Sequence, residues 1–199
     1  MRVAHAGVLL LLLSITMPFP TSDAQTLTSK KAPAKDMHGL IIYGDGFAFL
    51  ANEPKDWDVD TGQEARNYRV NAIFFPRAQE SRVHRVNIRV RLNQKTTEDP
   101  NEDMAADVEG YKDQYPATKF ADLQLTHPDY RSSAKLFYTE NDFYEYVVYL
   151  NPGQQSRFMF SVSMSKEKQP ATQEELAALA HVLQSLQFVT ADTHVKRPE

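Results

Sequence analysis

Apolar residues recur at two different periods near the end of this chain, and the change from one to the other predicts the architecture. Phe158, Phe160, Val162 and Met164 fall on every second residue, which puts them on one face of an extended strand. Ser161, Ser163 and Ser165 then line the opposite face. Past Pro170 the spacing lengthens, and Leu176, Leu179, Ala180, Leu183 and Leu186 form a stripe along one side of a helix. Thr172 and Glu175 have the spacing of a capping box, in which each side chain satisfies an orphan backbone donor. Pro170 lies just outside that start, where its missing N–H costs no helical bond. A strand feeding a one-sided helix predicts a sheet with a helix laid across it.

The earlier pattern supplies the rest of the sheet. Gly44-Asp45-Gly46 is a turn between two short apolar runs, the second with Phe47 and Phe49 on one face. Pro54 closes that run, and Trp57, the only tryptophan, reads as a core anchor or else as a stacking platform for a ligand. A strand is predicted from Tyr68 to Pro76, with Val70, Ala72 and Phe74 on one face and Ile73 and Phe75 on the other. From Val83 to Leu92 the alternation is cleaner: Val86, Ile88, Val90 and Leu92 point one way, and Arg85, Asn87, Arg89 and Arg91 the other. Asp99-Pro100 opens a helix over Asn101 to Tyr115, striped by Met104, Val108, Tyr111 and Tyr115. Three strands follow, Asp122 to Thr126, Ala134 to Thr139 and Phe143 to Leu150, the last two joined by a turn at Asn141-Asp142. Phe143, Val147 and Tyr149 oppose Tyr144, Tyr146, Val148 and Leu150, and a strand apolar on both faces belongs mid-sheet. The predicted class is α+β, an antiparallel sheet with helices packed on it.

Composition adds a boundary and several exclusions. Arg2, the apolar run Val8 to Met17, and small residues at Ser22 and Ala24 read as a signal peptide over residues 1–24, cut before Gln25. An uncleaved anchor is the rival reading of the same run. Cleavage predicts a periplasmic or secreted protein, with no transmembrane anchor afterwards because no second long apolar run follows. Residues 25–39 are polar and read as a flexible lead-in, residues 40–190 as a single domain, and residues 191–199 as a loose tail. There is no cysteine, which excludes disulfides, thiol chemistry and a cysteine zinc site. A net charge of −4 with both signs dispersed gives no nucleic-acid signature.

The order strands, helix, strands, helix carries a resemblance. Phe47-Ala48-Phe49 leading to Pro54 and Trp57, and the closing FSVSMS strand with its LAALAHVLQSLQF helix, make residues 40–189 similar to the PsbP-like family, the photosystem II extrinsic proteins and their exported bacterial relatives. The resemblance implies an α/β/α sandwich around an antiparallel sheet. It also implies a non-catalytic binding or assembly role.

The candidate chemistry is of three kinds. Arg85, Arg89 and Arg91 on one strand face, with Arg69 on a neighbouring strand, would attract a carboxylate, a phosphate or an acidic protein. The competing reading is a solvated face whose arginines pair with cross-strand acids such as Glu145. Asp56, Asp58 and Asp60 alternate as calcium ligands do, but Thr61 and Asn67 stand where the calcium loop needs glycine and an acid. A strand with one solvated face explains that alternation equally, so no metal is assigned. His38, His84, His127, His181 and His194 show no i, i+4 pair, and no G-x-S-x-G elbow or glycine-rich phosphate loop occurs. His127-Pro128-Asp129-Tyr130 is a polar turn where an acid–base pair would fit. No motif calls for a cofactor. The reading is an exported, non-catalytic binding or assembly protein, with Arg85, Arg89, Arg91 and Trp57 as binding candidates. Its alternatives are a periplasmic hydrolase at His127/Asp129 and a small-ligand carrier with an aromatic pocket near Trp57. A buried His127 hydrogen-bonded to Asp129 beside a hydroxyl would favour the hydrolase.

Overall fold

The strand read first from the sequence, β9 (Phe158–Glu167), is the middle strand of a seven-stranded antiparallel sheet. The structure is a computed structural model that describes residues 39–77, 86–154 and 156–189. In chain order its other strands are β1 (Leu40–Gly44), β2 (Phe47–Ala51), β3 (Trp57–Asp60), β4 (Ala72–Pro76), β5 (Asn87–Gln94), β6 (Lys119–Asp122), β7 (Arg131–Thr139), β8 (Phe143–Asn151) and β10 (Gln187–Phe188). The helices are α1 (Gln63–Asn67), α2 (Pro100–Gln114) and α3 (Gln173–Ser185). The large sheet runs β3-β4-β5-β9-β8-β7-β6, and a smaller antiparallel sheet runs β1-β2-β10. This is an α+β protein. The signal-peptide and lead-in assignments up to residue 38 lie outside the described residues, as do the tail from residue 190 and Val83, His84 and Arg85.

Register explains which face is core. Val162 lies opposite Val148 and Val90, Phe160 opposite Leu150 and Leu92, and Met164 opposite Tyr146 and Ile88. These rows pack in one cluster with Phe49 of β2 and with Leu179, Val182, Leu183 and Leu186 at the end of the chain. On the opposite face Met104 of α2 packs with Phe137 and Val147, so α2 covers the β7–β8 half. β8 is therefore buried from both sides, as its double apolar face requires.

Both long helices begin as their sequences predict. Asp99 accepts the Asn101 N–H at 3.1 Å with Pro100 in the first helical turn. Thr172 Oγ1 accepts the Glu175 N–H at 3.2 Å, and Glu175 Oε2 accepts the Thr172 N–H at 2.7 Å. Glu175 also accepts from Lys166 Nζ at 2.7 Å. Burial pushes its carboxyl up, but the bonds from Lys166 and Thr172 outweigh burial and hold it below the usual range.

Several boundaries differ from the sequence reading. The strand expected from Tyr68 starts only at Ala72, because the short helix α1 precedes it. Asp60 Oδ1 accepts the N–H groups of Gly62 and Ala65, and the Val70 N–H reaches the Ala65 carbonyl at 2.9 Å. Arg69 leaves that helix at φ 55°, so it sits in a turn and not on a neighbouring strand. The strand expected at Asp122 to Thr126 lies at Lys119–Asp122, where Phe120 meets Phe137 edge to face at 5.3 Å. Leu123 and Leu125 still pack against the main core, but without a ladder. β7 begins at Arg131 and not Ala134. The buried stripe of α3 includes Ala178 and Val182, while Ala180 is half-buried, and Tyr115 at the end of α2 is exposed. Among the described residues no helix is long and apolar enough to cross a membrane.

Candidate functional site

Because α2 covers only part of the second sheet face, β9 and β5 leave a polar floor beside it. Cross-strand register sets Ser165 beside Glu145 and Asn87, Ser163 beside Val147 and Arg89, and Ser161 beside Tyr149 and Arg91. Small serines on the middle strand keep this floor low. A hollow of about 670 Å³ lies over it, lined among others by Tyr68, Arg89, Phe143, Glu145, Ser165 and Lys168. A second hollow of about 240 Å³ shares Tyr68, Arg89 and Glu145 and extends over Arg91, Asp107, Tyr149, Ser161 and Ser163. Together they form one groove between α2 and the turn after α1.

The two described arginines behave differently. Arg89 reaches across β9 to Glu145 at 3.1 Å, with the side chains 23% and 19% exposed, and also donates to the Ser165 hydroxyl. The Tyr111 hydroxyl donates to the other Glu145 oxygen. Burial, then the Glu145 charge, pushes the Tyr111 phenol far above its ordinary value. Arg89 Nε is shielded from solvent and has no hydrogen-bond partner. Arg91 is exposed, donates only to the Tyr68 carbonyl at 3.3 Å, and meets no carboxylate among the described residues. Nearby, Tyr149 donates to Asp107 Oδ2 at 2.7 Å. Burial raises the Asp107 carboxyl and Glu145 adds to the rise, against the opposing effect of the Tyr149 bond. The groove therefore combines hydroxyls, an arginine paired with Glu145 whose shielded Nε has no partner, and an arginine that meets no carboxylate among the described residues.

The other sequence candidates are placed as follows. Arg85 lies outside the described residues. Trp57 is 5% exposed in the core of β3, so stacking a ligand on it requires the core to open. Asp58 pairs with Arg77 at 2.9 Å, and Asp60 is committed to the start of α1. No cluster of three metal-ligating side chains occurs among the described residues. His127 is buried; its Nδ1 accepts the backbone N–H groups of Asp129 and Tyr130 at 3.0 and 3.1 Å, which puts the ring proton on Nε2, facing the Leu186 carbonyl at 2.9 Å. The ring also stacks on Tyr130 at 4.1 Å. These contacts make it a staple between the turn and the end of α3. His181 is exposed on α3.

Sequence reasoning named Glu145 as a pairing acid but did not assign Tyr111, Asp107 or Tyr149 to the site. Asp107 and Tyr111 share a helix face at i, i+4, and Tyr149 shares the parity of Val147, which is the signal that was present. No protein-family model matches the chain, and no curated protein sequence matches it significantly.

Proposed function

We propose that the protein is an exported, non-catalytic binding protein with a PsbP-like α/β/α sandwich, which holds an anionic ligand or the acidic group of a partner in the groove over β9 and β5. The observation that carries this reading is a pair of arginines on an uncovered floor: Arg89, paired with Glu145 but with a shielded Nε that has no partner, and Arg91, which meets no carboxylate among the described residues. A buried donor without a partner costs about 1–3 kcal/mol, and an incoming oxygen removes that cost. Planar guanidiniums suit carboxylates and phosphates in particular. Export rests on the leader pattern of residues 1–24. Intact mass of the extracytoplasmic protein is expected to begin at Gln25; Met1 retained there would refute export by cleavage.

The binding itself is tested by cross-linking the protein to its neighbours in the native envelope, then repeating the capture with Arg91→Gln. The expected partner weakens with rising salt, because screening acts on exposed charge, and is lost or depleted with the variant. An identical, salt-insensitive set of neighbours from both proteins would count against the groove.

A further inference from the structure

The groove runs into a second surface of different character. Leu40, Ile41 and Tyr43, three of the five exposed large hydrophobic side chains among the described residues, sit on the single strand β1, and Tyr43 is 81% exposed. Among the described residues β1 is the edge of its sheet, paired only with β2. Edge strands are ordinarily guarded by lysine, proline or a bulge, and the sequence Leu-Ile-Ile-Tyr-Gly has none of these. A hollow of about 400 Å³ lies along it, with Ile41, Ile42 and Tyr43 on one side and Thr61, Val70 and Asn71 on the other.

Val70 also lines the part of the groove that holds Arg91. Asn71 ties the two together: its N–H bonds the Val90 carbonyl at 2.8 Å, and its side-chain oxygen accepts the Leu92 N–H at 2.7 Å. It therefore brackets Arg91 on the neighbouring strand. A groove that presents the exposed Arg91 guanidinium thus adjoins an apolar strand edge that carries no lysine, proline or bulge. A small anion would use the first and leave the second bare.

We infer that both surfaces take one partner, an extended peptide segment of another protein that adds as a strand to β1 and places an acidic side chain at Arg91. Main-chain hydrogen bonds to the edge supply affinity in this mode, and alternate side chains supply selectivity. Apolar side chains of the segment cover Ile41 and Tyr43, and its carboxylate meets the exposed Arg91 guanidinium. The charged half of this inference rests on the groove reading; the apolar half stands on β1 alone.

The test is to pan a random dodecapeptide library, displayed on phage, against the full secreted protein and against its Arg91→Gln and Tyr43→Lys variants. Enriched peptides are expected to carry an acidic residue beside alternating apolar residues. A synthetic peptide of the enriched sequence should bind the unaltered protein and lose about tenfold or more with each variant. Binding lost with Arg91→Gln but retained with Tyr43→Lys overturns the strand addition and leaves the groove reading intact. Binding lost with Tyr43→Lys but indifferent to Arg91→Gln overturns the groove reading and the joint site. Failure to enrich any peptide overturns the inference, and so does a concentration-dependent dimer in light scattering that Tyr43→Lys dissolves, because a second copy then owns the edge.

Discussion

Replacing Leu183 with alanine should lower the unfolding free energy by about 2–5 kcal/mol, the range for truncating a fully buried leucine. Leu183 is fully buried, at 0% exposure, on the face of α3 that meets the large sheet, in the same cluster as Phe160, Val162 and Phe49. Removing its isobutyl group leaves a space bounded by strands that are themselves held by ladders on both sides. Such surroundings relax little, which puts the loss in the upper part of the range. His181, two residues earlier, is exposed, and His181→Ala should change stability by no more than about 0.5 kcal/mol. Urea titrations of both variants decide the matter. Equal losses would mean that α3 presents a different face to the sheet.

The second large effect is expected from Arg89. Sequence alone puts Arg89 and Arg91 on one strand face, where substitutions would cost alike and little. In the structure they differ in burial and in partners. Arg89→Gln removes the charge opposite Glu145 and the donor to Ser165 in a mostly buried network, leaving a shielded carboxylate that only hydroxyls still contact. Removing the charged donor from a shielded carboxylate costs about 1–3 kcal/mol, and partial exposure keeps this below the figure for a fully buried broken pair. Arg91→Gln, on an exposed residue bonded among the described residues only to a carbonyl, should cost no more than about 0.5 kcal/mol. A double-mutant cycle with Glu145→Gln should show coupling for Arg89 and none for Arg91. Additive losses at Arg89 would mean that Arg89 and Glu145 do not act as a network.

What the sequence made legible follows its periodicity. β9, β8 and α3 were readable because each spans enough residues for a period to show, and Thr172 with Glu175 marks the helix start chemically. α1 has five residues, too few for a helical stripe, and depends on the Asp60 carboxylate reaching forward to two backbone donors. The alternation of Leu123 and Leu125 reports real burial, but burial beneath a loop imitates a strand. Of the site, the arginine face and its Glu145 pairing were visible because cross-strand parity survives in sequence. The contribution of Tyr111 and Asp107 was not, because it depends on how far α2 extends over the sheet. Trp57 illustrates the other limit: its identity marks a large buried ring equally well as a binding surface, and the structure puts the ring in the core.

The groove is tested most directly by titrating the cross-linked partner, once purified, against the unaltered protein and Arg91→Gln by calorimetry at low and high salt. Affinity is expected to fall as salt rises, with a loss of about tenfold or more in the variant at low salt and a smaller gap between the two proteins at high salt. Equal affinities at both salt concentrations would contradict binding through Arg91.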